Sequence, residues 1–572
     1  MAGAGAESAA GRQGGLWLEA AVFAARQRVA GLWNGTRPRR ALLSRPKVDG
    51  FAAFPHDPRP ANPELGLAIL NGAWKLGGET LTVGRGGDPW NRPSPSRPFA
   101  EDLHGFCWLK HLLATGDEGA REGLRLLAGW RSVFGRWNSF SWSGAVLERR
   151  VINLACGLGA LTEKASEAEI EGFANLLARQ ARMLLQTSDP AWRKAERTVA
   201  AGVAAAALAG KPGDRLLARV AVRLDSLLPE VVLPDGGHIS RAPQAGLELL
   251  LDLLALDDAC VRRGVQTPDE ALRAIDRLRA SIRFFTLRDG ALACFQGGES
   301  APPALIAAAR AAAEPDLIGE APPPPSQARH VRYQRMSGRV LEVMVDAGPP
   351  AARPWSATAT AQPAAIEIVC GKDRLVTNAG WSPRAPGAQP SRLTDSGSTV
   401  SLGNLSAGAP LAGWRARALG PLLVGGPRTV EVKRTAATGS GVWLDLAHDG
   451  WVERFGLTHE RRLYLDLEAD ELRGEDLFTA VRPGRSRVIP FVAHFQLAPE
   501  VTAVLARDKQ SVLLRGRSDK GWWLRNDANE VRIEPATHFQ DGRRAPTLQV
   551  KLMGHVHTDK GGRVRWKLVA VE

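Results

Sequence analysis

Between about residue 100 and residue 287, apolar side chains recur every three or four positions, and Gly, Pro or Asp interrupts them every 15–25 residues. That period lays one apolar stripe along a helix, and each interruption ends it. The pattern predicts helices over Ala120–Trp130, Ala145–Glu163, Ala168–Leu185, Thr198–Leu208, Leu216–Leu228, Ala245–Arg263 and Pro268–Phe285. Their stripes are broad enough to bury against neighbours in antiparallel hairpins. The Gly- and Pro-rich stretch 82–98 reads as a long surface loop carrying Trp90.

A run of four prolines, Pro322–Pro325, can continue neither a helix nor an interior strand, so 320–329 is expected to be a linker. Beyond it the period becomes two. Alternation over Val340–Val345, Ala365–Val369, Arg428–Lys433, Val442–Leu446, Arg462–Leu467, Ser511–Leu514, Val531–Glu534, Thr547–Leu552 and Val564–Val569 predicts strands parted by Gly, Asp and Asn turns. Many strands at short intervals imply a large antiparallel sandwich. The expected organisation is an N-terminal region with its loop over 1–99, a ring of helical hairpins over 100–319, the linker, and the sandwich over 330–572.

Composition narrows the class. At 572 residues, with 44% hydrophobic and 23% charged positions, the chain can bury two or three cores. No window supplies the roughly 18 uninterrupted apolar residues that a membrane span needs, since Glu19 breaks the best one. Residues 1–14 lack a basic start and an apolar run, so no secretory signal is expected and cytoplasmic residence fits the chain. Five widely spaced cysteines read as buried free thiols rather than a disulfide framework or a zinc site. The net charge of +14 favours an acidic partner, and most of it lies on the β half, with 35 basic against 25 acidic residues over 326–572. Basic residues are dispersed rather than striped with aromatics, which argues against nucleic acid. No phosphate-binding loop, dinucleotide fingerprint, paired-His zinc helix or nucleophile elbow is present, and no cofactor or metal is called for.

Three segments carry candidate chemistry. Leu233-Pro-Asp-Gly-Gly-His238-Ile-Ser-Arg241 is a tight turn that would aim His238 and Arg241 from the end of a helical layer. A solvated loop is its plainer reading. Arg149 or Arg150 lies four or three positions before Asn153, so one of the pairs shares a helix face; with Trp142 they combine an indole, a guanidinium and an amide suited to stacking on a sugar and gripping a carboxylate, or else they serve the core and an ordinary charged face. His448 and His459 flank an expected hairpin without metal-ligand spacing, while His555 and His557 share a strand face near a turn.

Taken together, these strings resemble the heparinase II/III family of polysaccharide lyases. The resemblance rests on Trp142 to Asn153, Leu-Pro-Asp-Gly-Gly-His238, Asp289-Gly-Ala-Leu-Ala-Cys-Phe, Val345-Asp-Ala-Gly-Pro-Pro350, Asn378-Ala-Gly-Trp381, His448-Asp-Gly-Trp451 and Phe455-Gly-Leu-Thr-His459-Glu-Arg461. It implies a multidomain α+β fold, with an (α/α) toroid followed by the sandwich, and β-elimination on a uronic-acid polysaccharide. An Arg or Asn would neutralise the carboxylate, and His or Tyr would move protons at C5 and at the leaving oxygen. It assigns proton transfer to His238 and His448, and sugar binding to Trp142, Arg150, Asn153 and Arg241, with an anionic polysaccharide as partner and the periplasm or cell envelope as location. This chain departs from the family pattern. Where the family reads Ser-Pro-x-Tyr-His after the turn, the chain reads Ala242-Pro-Gln-Ala-Gly246. Family histidines correspond to Thr360, Gly397, Gln496 and Ala498, and the only tyrosines, Tyr333 and Tyr464, lie beyond the helices. Two readings follow: a lyase with a rearranged site, or a family member that binds anionic glycan without cleaving it.

Overall fold

The structure is a computed structural model that describes residues 3–571, apart from 188–189, 302, 314–322, 382–386, 388, 438–439, 482–484 and 541. Part of the expected linker, 320–322, therefore lies outside the described residues. Gln327–Ala328, which the linker reading includes, is already a strand paired with Tyr333–Ser337.

The helical half contains Asp117–Phe134, Gly144–Thr162, Glu167–Leu184, Lys194–Ala207, Gly210–Val231, Pro243–Arg263 and Asp269–Phe285, each within a few residues of its expected span. Lys194–Ala207 sits at the centre, with every residue from Ala195 to Ala207 buried. Its Ala-Gly composition lets neighbouring helices approach closely. A Cβ on Gly202 would stand 3.0 Å from both Leu256 and Val220. Ends are set by local chemistry: Ser166 and Glu169 form a capping box, and Gly264 closes Pro243–Arg263 at φ +73°.

Two departures appear in the first hundred residues. Gly3–Asn34 is a long helix that the apolar spacing does not announce. Trp90 is buried rather than carried on an open loop, its indole N–H donating to the Leu126 carbonyl at 3.0 Å.

The second half is an antiparallel sandwich. One sheet runs, in spatial order, Val430–Ala437, Gly441–His448, Leu457–Asp466, Glu471–Ala480, Gly562–Ala570, Gly521–Asn526, Val512–Arg515 and Thr502–Leu505. The other is nine-stranded and includes Leu341–Asp346, Ile366–Cys370, Val488–Leu497 and Arg543–His557. Strict alternation, as in Leu457–Asp466, sends Leu463 and Leu465 into the core and Arg462 and Tyr464 outward.

Buried arginines fasten the helices to the nine-stranded sheet. Arg335 pairs with Glu342 at 2.6 Å and donates to the Phe284 carbonyl at 2.7 Å, while Arg374 bridges Asp289 and Glu367. Each lost partner would strand a charge in a low-dielectric seam.

Candidate functional site

A cavity of about 190 Å³ opens where helix ends meet the sandwich. Helix Gly144–Thr162 contributes Glu148 and Arg149. The turn before Lys194–Ala207 supplies Trp192 and Arg193, and the first turn of that helix supplies Glu196. Helix Pro243–Arg263 adds Gln244 and Glu248, the Asp-Gly-Gly turn adds His238 and Ser240, and the sandwich side adds Thr358.

The turn is shaped by packing. Gly236 has φ +80°, and a Cβ there would lie 1.8 Å from the Arg277 carbonyl oxygen; one on Gly237 would strike Val331 at 2.3 Å. Asp235 accepts from the backbone N–H groups of His330 and Val331 at 2.6 and 2.9 Å. The Asp-Gly-Gly string is thus a joint between the two halves, and His238 is carried on it.

His238 is buried at the cavity wall. Its Nδ1 accepts the Ser240 backbone N–H at 3.1 Å and lies 2.6 Å from the Ser240 hydroxyl. With Nδ1 accepting, Nε2 carries a ring N–H; it has no hydrogen-bond partner and faces Glu196 Oε1 at 3.7 Å. Glu196 Oε2 is likewise buried without a partner.

Both guanidiniums in the cavity are already occupied. Arg193 holds Glu148 through two contacts, at 2.5 and 3.2 Å, and approaches Glu196 at 3.9 Å. Arg149 pairs with Asp252, which Arg59 also grips at 2.6 Å. Burial pushes the Glu148 carboxyl up despite Arg193, whereas for Asp252 the burial effect is outweighed by Arg149 and Arg59, which hold it below its ordinary value. Counting Glu101 and Asp102, carboxylates outnumber cations along the wall. Among the described residues no group of three or more His, Cys, Asp or Glu side chains could hold a metal ion.

The other expected site residues lie elsewhere. Arg150 is fully buried, donating to the carbonyls of Ser141 at 2.6 Å and His104 at 3.1 Å beneath the Trp130 ring. With no carboxylate beside it, burial and then Arg179 push its pKa down to about 9. Trp142 is buried, its N–H held by the Phe134 carbonyl at 3.0 Å, and Asn153 donates to the Gly105 carbonyl at 2.8 Å. Expectation and structure differ here by one helical position, because Arg149 and not Arg150 turns toward the cavity.

Arg241, at φ +66°, donates to the carbonyls of Val331, Arg332, Gly348 and Pro349, pairs with Asp346, and stacks over Tyr333. It is a joint residue and does not line the cavity. Tyr333 is buried beside it and donates to the Arg241 carbonyl at 2.8 Å.

His448 lies inside the sandwich, away from the cavity. Gly450 N–H donates to its Nδ1 at 3.2 Å, its Nε2 meets His459 Nδ1 at 2.9 Å, and His459 Nε2 meets Asp476 at 2.9 Å. One set of neutral tautomers satisfies the whole line. Burial pushes both rings' pKa values down. At two positions where the family carries histidine, internal packing takes over: Gln496 donates to the Asp395 carbonyl at 2.8 Å, and Gly397 abuts Gln362.

Arg193, Glu196, Gln244 and Glu248 escaped sequence reasoning. Glu196 offers one retrospective signal, a carboxylate in the first turn of a helix that is wholly small and apolar from Val199 onward.

Residues 320–567 match the family described as heparinase II/III-like, C-terminal. FtsZ-localized protein C of Caulobacter vibrioides (strain NA1000 / CB15N) is 49% identical over 568 residues, spanning 98% of this chain and 97% of that one. A crystal structure of heparinase III superposes with a TM-score of 0.67 at 13% identity, covering 86% of this chain and 80% of that one. A heparan sulfate lyase HepC mutant from Pedobacter heparinus gives 0.58 at 15% identity over 94% and 88%. At such identities the solved structures establish the toroid-plus-sandwich fold alone, while the match to FtsZ-localized protein C runs nearly end to end. The chain therefore belongs to the heparinase II/III-like family.

Proposed function

We propose that this chain is a binding member of the heparinase II/III-like family that does not carry out β-elimination and works where FtsZ is localized. The observation that carries the first part is the occupancy of the cavity. Elimination on a uronate needs a free cation or amide for the substrate carboxylate, a base at C5 and an acid at the leaving oxygen, and the one amide in the lining, Gln244, is bonded to Glu248 and the Glu299 N–H. Here Arg149 and Arg193 are neutralised by Asp252, Glu148 and Glu196, so a uronate would enter a wall rich in carboxylates. The Ser240 N–H on Nδ1 leaves His238 facing the cavity with an N–H, which can donate but not abstract. The unpartnered Glu196 oxygen, the His238 N–H and the Trp192 indole instead suit a small hydroxyl- or amine-bearing ligand, such as a neutral or amino sugar. The second part draws on the name of FtsZ-localized protein C, whose whole length this chain shares.

The test pairs two measurements. Incubation with a broad panel of uronic-acid polysaccharides should give no ultraviolet signal from an unsaturated product. A fluorescent fusion should gather where FtsZ does, in place of the periplasmic or envelope address expected from the lyases. A rise in absorbance that vanishes in His238→Gln would instead support the lyase reading. A fusion spread evenly through the cell would refute the second part.

A further inference from the structure

The eight-stranded sheet turns one face to the core and the other away from the nine-stranded sheet that meets the helices. Across that outer face, register aligns five residues on five adjacent strands. Trp443 pairs with Tyr464, Tyr464 with Arg473, Arg473 with Lys567, and Lys567 with Arg525. With strands about 4.8 Å apart, the row spans about 19 Å. Trp443 stacks on Tyr464, with ring centroids 4.2 Å apart, and the Arg473 guanidinium also lies over the phenol ring, 5.6 Å from its centroid. The row floors a groove of about 570 Å³ lined by five cations against two carboxylates.

These groups are open to a partner. Trp443 is 49% exposed, an unusual exposure for an indole on a sheet, and the Arg473 and Lys567 side chains are 55% and 40% exposed. Glu471, mostly covered at the groove edge, contacts both Arg473 and Lys567, and Asp466 reaches Arg473 at 3.9 Å, so these carboxylates offset part of the row's charge; Arg525 is exposed. Water-facing indole, phenol and guanidinium groups are the side chains that dominate protein interfaces. Sugar hydroxyls would call for neutral amides and hydroxyls, of which the lining holds only Asn526 and the Tyr464 hydroxyl.

The geometry points to a docking groove on this face for an extended acidic peptide segment of a protein partner, with an aromatic or aliphatic residue on Trp443 and carboxylates following along Arg473, Lys567 and Arg525. The groove is separate from the cavity at the helical joint, so this inference stands or falls independently of how that cavity is used. Charge complementarity selects the occupant, since a guanidinium row recognises acidic motifs by paired hydrogen bonds to carboxylates.

The experiment titrates the full-length protein with a dye-labelled peptide of one Phe followed by six alternating Asp and Glu residues, read by fluorescence anisotropy. The joint variant Arg473→Glu, Lys567→Glu and Arg525→Glu should weaken binding by about tenfold or more. Lys211→Glu, Arg215→Glu and Arg219→Glu, which make the same charge change on an exposed helix, should alter it less than about threefold. Trp443→Ala leaves charge and core untouched, so it keeps the test open if the triple variant folds poorly. It should weaken the Phe peptide about threefold or more and leave a Phe-to-Ala peptide unchanged. Equal losses in both triple variants would overturn the proposal as nonspecific attraction. So would binding of heparan sulfate, but not of the peptide, through this row, or no effect of Trp443→Ala on the Phe peptide.

Discussion

Lowering the pH from 7.5 to 5.5 should destabilise this protein steeply, and the size of the effect follows from its buried imidazoles. Three of them, His104, His494 and His538, are held to about pKa 4, in each case chiefly by burial. Each has hydrogen bonds that fit a neutral ring. His104 Nδ1 accepts the Trp130 indole N–H at 3.1 Å, His538 Nδ1 meets the Asn378 carbonyl at 2.9 Å, and His494 sits between the Ser401 hydroxyl and Gln549. In the unfolded chain each ring titrates near 6.5. Above that value both states are neutral and nothing depends on pH. As pH falls from 6.5 toward 4 the unfolded chain takes up protons that the folded one refuses, and stability is lost across that window. At pH 5.5 the loss comes to about 4 kcal/mol for the three rings together. His448 and His459, also pushed down, add to it. Glu148 and Glu367, raised by burial, offset a part at the acid end. Urea unfolding followed by tryptophan fluorescence at half-unit pH steps measures the slope, which should correspond to an uptake of about three protons or more on unfolding near pH 5.5. Stability that stays level or rises between pH 7.5 and 5.5 would refute the neutral-imidazole assignment.

Other perturbations test particular contacts. Asp252→Asn leaves Arg59 and Arg149 buried without their shared carboxylate and should cost about 3–5 kcal/mol by urea denaturation. Gly236→Ala places a methyl on the Arg277 carbonyl of helix Asp269–Phe285 at a positive φ, so it should lower the melting temperature in calorimetry. Arg150→Met should change the affinity of any cavity ligand less than about twofold while altering stability, because this guanidinium contacts two carbonyls and aromatic rings outside the cavity.

The outline of the fold was legible because burial is periodic. Leu457–Asp466 alternates buried and half-buried at every residue, and Asp117–Phe134 shows its stripe plainly. Gly3–Asn34 was illegible for the converse reason: Trp17, Leu18, Val22, Val29, Leu32 and Trp33 are all exposed, so no single buried stripe announces the helix. The site was legible only where the chain doubles back locally. His238 was found because Asp-Gly-Gly marks a turn. The choice between Arg149 and Arg150 depended on Asp252, 103 residues away, and on the carbonyls under Trp130. No local period carries that information.

The same reasoning explains why the family scaffold can outlast its chemistry. The motif strings shared with the lyases divide into those that hold the halves together and those that face a ligand. Asp235, Gly237 and Arg241 belong to the first class, since each meets a backbone group or side chain across the joint, and Gly236 fits the turn against helix Asp269–Phe285. Replacing any of them strands a buried charge or forces backbone apart, at a cost of several kcal/mol to a fold with only about 5–15 kcal/mol in hand. Ala245, which stands where the family pattern has Tyr, borders the cavity, where exchange of a half-buried side chain costs little folding energy. Selection for stability alone would therefore preserve the Asp-Gly-Gly-His string while leaving the proton-transfer positions free to change. That string is accordingly weaker support for catalysis than for the joint, and the carboxylate-rich wall around His238 is the better guide to what the cavity accepts.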